Sequence, residues 1–434
     1  MNTSDFHIPQ SVLSLCDTLN HSGFEAFLVG GCVRDQIMGI TPADFDITTN
    51  CLPHETARIF SSKGLLVVPT GIRYGTVSVM VENVAYEITT YRSEQGYSDG
   101  RHPDNISFLG NLHADLERRD FTINAMAFDP LTARLVDTFG GLDDIEHKVL
   151  RAVGNPLQRF SEDYLRMLRA VRYASRFSYA IDPETLSAIK QSHSGILQIS
   201  QERILNELLK MASQPGSKFA DALILLKETG LLTDILPELD CLESYLWDAT
   251  LSSLRLNTDH DPTLNLVILF HNVSGHSLST NKPQSDIAVI SRIARRMKMS
   301  NQLRDALCFT SIHHEFYAPT HQLSNHQFVH LMQHPCWELL YRTIFLYYSV
   351  YSNFDLSRWQ PIETKIRTLY RYYFEEGNLE IIRKLINGDR VMTIKKCLPG
   401  PEIGIYIDAT INWILDNSVD INETSDIDLF IGKL

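Results

Sequence analysis

Alternation of apolar and polar side chains at every second residue stops near residue 138 of this 434-residue chain. Before that point, helical spacing over 9–22 leads into an apolar run at 27–29, a short helix over 33–39, a strand over 44–50 and a helix over 54–63. Alternating runs at 65–70, 75–81 and 85–92 then read as three more strands. Beyond 138, residues 160–213 and most of the remainder carry helical spacing broken by Gly and Pro. Such a chain cannot extend one sheet through its whole length. It predicts an α+β protein: a head with a mixed sheet and helices, then an elongated all-α remainder. The length suits two to four compact units, and we divide it into a head (1–138), neck (139–213), body (214–320) and tail (321–434).

At 44% hydrophobic and 21% charged residues, the composition is that of a soluble globular protein. No apolar run reaches about eighteen residues, so no membrane span is expected. The opening MNTSDFHIPQ lacks the basic-then-apolar order of a signal peptide. Seven cysteines stand singly with no Cys-x-x-Cys, which points to a reduced, cytoplasmic protein without a structural zinc site. A net charge of −13 argues against a nonspecific polyanion binder, but not against nucleic acid, since binding depends on where basic residues lie. One stretch stands out. Six arginines and no lysine lie between Arg151 and Arg176, with Glu162 and Asp163 as the only acids. Arginine without lysine suits fork-shaped recognition of planar or phosphate groups.

Asp44-Phe45-Asp46 sits in the strand at 44–50. Side chains two apart on a strand share a face, so the carboxylates project together and Phe45 turns to the core. Such a pair repels itself unless a cation lies between its members. Two carboxylates supply hard oxygens for Mg²⁺, which takes one or two protein ligands and completes its sphere with water and phosphate. An exposed strand end with two solvated acids is the plain alternative. Upstream, Gly30-Gly31 follows a strand directly, where missing side chains let backbone N–H groups approach a phosphate. Arg34 follows on the first helical turn, within reach of the same phosphates. Glycines, arginine and acids together suit a triphosphate with its metal.

The arrangement LVGGxVRD followed by DxD resembles the signature of nucleotidyltransferases of the DNA polymerase beta superfamily, in the branch of tRNA nucleotidyltransferases and bacterial poly(A) polymerases. The resemblance implies a polymerase-beta-like head in which Asp44 and Asp46 hold the metal and Gly30, Gly31 and Arg34 bind the nucleotide. Glu87 lies on a later strand, where the superfamily often places another carboxylate. It either assists the metals, deprotonates the primer hydroxyl, or is a structural ion-pair partner. LERRDFTINAMAFDP (116–130) resembles the family's RRDFTxNA motif, which implies that Arg118, Arg119 and Asp120 contact ribose and phosphates while Asn124 braces the turn. A helix cap by Asp120 or Thr122 is compatible with that role. Gly140-Gly141 looks like the family's hinge between head and neck.

Residues 161–177 read as one helix. At about 100° per residue, Glu162, Asp163, Arg169, Arg172 and Arg176 all fall within about 120° of Arg166, and Met167, Leu168, Val171 and Ala174 take the other flank. Cytosine offers a donor at N4 beside an acceptor at N3, and adenine a donor at N6 beside an acceptor at N1. A carboxylate plus an arginine complements both, whereas guanine and uracil present the reverse, and mismatched buried polar groups discriminate strongly. Alone, the same pattern fits a solvated helix with Glu162–Arg166 support. EDxxRxLRAxRY matches the family's base-reading motif at Glu162, Asp163, Arg166, Arg169 and Arg172. That match implies that Asp163 and Arg166 read the base edge, while Arg169 and Arg172 contact the nucleotide or shape its pocket. Glu202 and Arg203 would brace this helix.

Residues 249–276 resemble an HD-type phosphohydrolase module, but His271-Asn272 stands where its metal site needs His-Asp, so a body without that activity is expected. His326, His330 and His334 share a helical face and raise a metal site, although no carboxylate partner is evident. Residues 385–417 resemble the C-terminal segment of bacterial tRNA nucleotidyltransferases, with a loose match at Arg390. In the family, body and tail grip tRNA through phosphate and shape contacts. The resemblance as a whole implies template-independent addition of CCA to tRNA 3′ ends from CTP and ATP, with Mg²⁺ as cofactor, tRNA as partner and no membrane. CC-only, A-only or poly(A) addition are the nearest alternatives; the loop at 92–108 and the acidic tail speak for the tRNA enzymes. An HD phosphohydrolase and a noncatalytic tRNA-binding module are the alternatives outside the class.

Overall fold

Val12, Leu15, Cys16 and Leu19 recur at helical spacing and are buried along one face of α1 (Gln10–His21). In the computed structural model, which describes residues 6–95, 105–108, 111–273, 283–313, 323–351, 356–422 and 424–434, that face packs on a seven-stranded mixed sheet. The elements follow in order: β1 (Ala26–Val29), α2 (Gly31–Ile37), β2 (Asp46–Thr49), α3 (Pro53–Ser62), β3 (Leu66–Gly71), β4 (Thr76–Val81) and β5 (Val84–Thr90). A separate hairpin of β6 (Arg92–Gln95) and β7 (Asn105–Phe108) precedes α4 (Leu112–Glu117), β8 (Met126–Asp129) and β9 (Arg134–Asp137). The sheet runs β3-β4-β5-β2-β1-β8-β9, with β2 and β5 parallel and every other neighbouring pair antiparallel. Alternation along β1 separates two cores. Ala26 and Leu28 join the larger cluster with α1, whereas Phe27 and Val29 join Tyr91, Leu116 and Ala127 on the other face.

Three local expectations change. The strand anticipated at 44–50 starts at Asp46, so Asp44 is an exposed residue leading into it, while Phe45 does pack on the core. The helix expected at 33–39 begins at Gly31. Two short strands, β10 (Val149–Leu150) and β11 (Ala180–Ile181), pair in parallel past residue 138, where only helices were expected. The arms of the loop at 92–108 form the β6–β7 hairpin, and residues 96–104 lie outside the described residues.

The chain divides into two compact units, Met1–Cys241 and Leu242–Leu434. Helices α5 (Gly141–Glu146), α6 (Pro156–Glu162), α7 (Leu165–Phe177), α8 (Pro183–Ser192), α9 (Gln201–Ala212) and α10 (Gly216–Glu228) all belong to the first. Gly140 enters α5 at φ 75° with open space around it, whereas a Cβ on Gly141 would lie 2.3 Å from the Thr122 carbonyl oxygen. The second glycine is therefore a close-packing position.

The second unit is helical. Its buried Asn272 amide donates to Thr250 Oγ1 at 3.0 Å and to the Tyr347 hydroxyl at 3.1 Å, and Asp261 caps the helix Pro262–Phe270. Arg390, the loosely matching tail residue, grips Asp428 Oδ1 with Nε and Nη2 at 2.8 and 2.6 Å. Among the described residues, no helix is long and apolar enough to cross a membrane. All seven cysteines are free: Cys16, Cys32 and Cys51 are buried, and Cys241 and Cys397 are exposed.

Candidate active site

β1 ends at Val29 and α2 starts at Gly31, so a single residue must reverse the chain. Gly30 does so at φ 78°, a conformation that L side chains rarely adopt. A Cβ there would also sit 2.9 Å from Arg119 Nη1, so the bare backbone lies against a guanidinium. Pairing of Val29 with Asp46 sets the start of β2 beside this turn. The parallel β2–β5 register then brings Glu87 next to Asp46, one residue ahead of the Ile47–Ile88 pair. Burial first, then the neighbouring Asp44 charge, push the Asp46 carboxyl up to about 6; Arg119 works against the rise and Glu87 adds to it. Negative charge held together by sheet register is a place for a cation, and its donors are hard oxygens. Among the described residues no three His, Cys, Asp or Glu side chains close around one point. A divalent ion held by one or two carboxylates completes its sphere with phosphate and water. Glu87 is exposed and forms no salt bridge among the described residues, so its ion-pair reading finds no support.

Asp115 explains why two arginines come here. It is fully buried on α4, where Oδ1 accepts from Arg118 Nε and Nη2 at 3.1 and 2.8 Å and Oδ2 accepts from Arg119 Nη2 at 3.4 Å. Burial opposes its charge, but the two guanidiniums hold its carboxyl below the usual range. Arg119 Nε is buried with no hydrogen-bond partner. The Arg119 guanidinium thus lies beside both Gly30 and Asp46, a place where its remaining N–H groups suit a phosphate.

Asp120 and Asn124 face inward and are buried. Asp120 Oδ1 accepts from the Phe121 N–H at 2.9 Å and from Asn124 Nδ2 at 3.0 Å, and Oδ2 accepts from Arg169 Nε at 2.7 Å. Burial alone would raise this carboxyl, but Arg169 above all, with Asn124, holds it down at about 2. Asn124 Oδ1 accepts from Arg34 Nη1 at 2.6 Å, and Arg34 Nε and Nη2 donate to Asp35 at 2.8 and 2.6 Å. A continuous hydrogen-bonded chain, Asp35–Arg34–Asn124–Asp120–Arg169, buried as far as Asp120, thus joins α2 to α7. Arg34 is 3% exposed and engaged in this chain, so its bonds fix α2.

The helix expected at 161–177 is two helices. Asp163 is extended (φ −152°, ψ 102°) and its Oδ1 accepts from the Leu165 N–H at 3.1 Å, starting α7 afresh. Its Oδ2 accepts from Arg203 Nη2 at 2.7 Å, the brace expected from the 199–211 stretch. Arg166 Nη1 donates to Glu162 Oε2 at 2.6 Å and to the Arg159 carbonyl at 2.8 Å, and Nη2 donates to the Arg118 carbonyl at 3.2 Å. Asp163 and Arg166 therefore flank one turn but are held by different partners. Arg172 Nε donates to buried Glu207 at 2.6 Å. Asp35 and Tyr173 close the motifs quoted from the sequence but were given no role there, and Asp115 and Glu207 were passed over. Asp115 carried a local signal, an acid three and four residues ahead of two arginines.

The histidine trio does not converge. The helix Asn325–Met332 ends before His334, which accepts from the Cys336 N–H, while His330 meets Asn412 and His326 meets Asp416. Ser324 and Asp416 both contact His326 at Nδ1, so these three form no Ser-His-Asp relay.

A glycine turn, neighbouring acids and a guanidinium beside them, carried on a mixed sheet with a helical sequel, form the arrangement that the motifs imply for a nucleotidyltransferase head. Residues 26–151 match the poly A polymerase head domain, and 178–242 match the probable RNA and SrmB-binding site of polymerase A. Over these two segments the chain is similar to the head and RNA-binding domains of poly(A) polymerases. The CCA-adding enzyme of Lactobacillus johnsonii is 40% identical over 267 residues, which are 58% of this chain and 65% of that protein. The CCA-adding enzyme of Lactobacillus helveticus is 42% identical over 259 residues, 56% of this chain and 63% of that one. The aligned part thus spans just under two thirds of these relatives' length. The Bacillus stearothermophilus CCA-adding enzyme in complex with CTP superimposes with a TM-score of 0.70 at 28% identity, over 98% of this chain and 96% of its own.

Proposed function

We propose that the protein is a cytoplasmic, template-independent tRNA nucleotidyltransferase that adds CCA to tRNA 3′ ends from CTP and ATP. The observation that carries this reading is that Asp46, with Asp44 and Glu87 as charged neighbours, lies beside the glycine turn and Arg119. The CTP complex of the Bacillus stearothermophilus enzyme supports the choice of substrate, and seven free thiols fit a reduced compartment. The primer 3′ oxygen attacks the α-phosphorus; the new P–O bond forms as the bridging α–β bond breaks, and pyrophosphate leaves with the electron pair. Asp44 and Asp46 would hold Mg²⁺, which supplies charge neutralisation at the attacking and departing oxygens. Glu87 takes the hydroxyl proton, directly or through water. The Gly30 and Gly31 backbone and Arg119 hold the phosphates and Arg118 the ribose, while Arg34, Asp120 and Asn124 keep that surface in place. Asp163 and Arg166, steadied by Arg203 and Glu162, read the base edge, and Arg169 and Arg172 shape the pocket. In this reading residues 1–138 catalyse, 139–213 select the nucleotide, and 214–320 and 321–434 grip tRNA.

Product sequencing tests it. Three tRNA transcripts, ending before CCA, after C and after CC, are incubated with Mg²⁺ and CTP, ATP or both. CCA on the first and a single A on the last are expected, and Asp44→Ala should remove incorporation by at least about 100-fold while tRNA binding stays. CC alone, A alone or a long A tail would move the specificity within the family. No incorporation at all would favour a noncatalytic tRNA-binding module.

A further inference from the structure

Three guanidiniums from two elements meet around one aromatic ring. The Arg34, Arg169 and Arg172 guanidinium carbons lie 5.2, 5.5 and 4.2 Å from the centroid of Tyr173, whose residue is 8% exposed. The Tyr173 hydroxyl also accepts from Arg169 Nη2 at 3.3 Å. The ring itself is locked: Phe177 stacks on it at 6.0 Å and 3°, and Phe121 meets it edge-on at 5.9 Å and 83°. Three cations this close repel one another. Each is met along one edge by its own carboxylate, Arg34 by Asp35, Arg169 by Asp120 and Arg172 by Glu207. A carboxylate fixes where a guanidinium edge points but leaves its plane free to tilt. The ring, negative at the centre of its π faces, gives each of the three a surface to settle against.

We propose that Tyr173 is a positioning residue whose ring sets the orientation of the pocket arginines and so the affinity for the incoming nucleotide; this rests on the nucleotidyltransferase reading above. The aromatic face is the operative feature, and the hydroxyl is secondary. It follows that phenylalanine can replace it and an aliphatic side chain of similar length cannot. Because the ring acts on nucleotide binding through its arginines, its loss should appear in KM. A role in stability alone would lower the active fraction, and with it kcat, while leaving KM where it was.

The test compares wild type, Tyr173→Phe and Tyr173→Met as full-length proteins, measuring KM and kcat for CTP and for ATP on tRNA primers. Near-ultraviolet circular dichroism checks the fold of each. Tyr173→Phe should keep both KM values within about threefold of wild type, and Tyr173→Met should raise both by about tenfold or more, with kcat changed less. An unmoved KM in a folded Tyr173→Met protein would overturn the proposal. So would a tenfold rise in Tyr173→Phe, which holds even where Tyr173→Met fails to fold. Absence of incorporation by the wild type would overturn the enzymatic reading, and this proposal with it; wild-type activity with either contrary variant result would overturn this proposal alone.

Discussion

Asp120 stays charged in a buried place because Arg169 and Asn124 bind its charged form, and that makes it a source of acid-sensitive stability. Its folded carboxyl lies at about 2, below the ordinary 3.8, so the folded state holds fewer protons than the unfolded chain in the interval between. The stabilisation is complete above about pH 4 and is lost as pH falls through about 2; its size is about 2 kcal/mol. Asp120→Asn should therefore lower the urea-unfolding free energy by about that amount at neutral pH, and the gap to wild type should narrow from pH 4 downward. A gap that stays constant to pH 3 would mean that Arg169 does not hold the carboxyl ionised. At this scale the acids we assign to the metal were legible in the sequence, because Asp44 and Asp46 sit at a spacing that metals use. An acid that holds an arginine from far along the chain was not. Glu207 meets Arg172 across 35 residues of chain, and no local pattern announces that pairing.

At the scale of elements, the Gly140-Gly141 pair behaves as two unlike residues. Gly140 needs its left-handed backbone but has room, whereas Gly141 has an ordinary backbone and no room. Gly140→Ala should cost about 1 kcal/mol from backbone conformation, and Gly141→Ala about 1–3 kcal/mol from the forced shift of α5 against Thr122. Chemical denaturation of the two variants checks the order; equal costs would mean that α5 moves aside freely. The break between α6 and α7 belongs here too. Apolar spacing runs through Asp163 without interruption, so a helical wheel sees one helix, while the aspartate's preference for capping ends one and begins another. β10 and β11 escaped notice for a related reason. Two residues each are too few for alternation to register.

For the whole molecule, separate apolar clusters in the head and in the tail carry the fold. Chelation with EDTA should therefore abolish nucleotide addition, reversibly on adding Mg²⁺, while the melting temperature moves by less than about 3 °C. A collapse of the melting temperature would mean that metal is part of the framework. The change from a mixed sheet to helices was readable at this scale because periodicity accumulates over long stretches; the division at Cys241 was not, since helices continue on both sides of it. The distribution of thiols has a practical consequence for studying that division. Burial pushes the Cys16 and Cys32 thiols up to about 12, where they scarcely react at neutral pH, while Cys241 and Cys397 stand exposed. One closes the first unit and the other lies within the second. With the half-buried Cys308 and Cys336 replaced by serine, a donor and an acceptor dye on the two exposed sulfurs would turn the chain into its own spectroscopic ruler, with one mark in each unit.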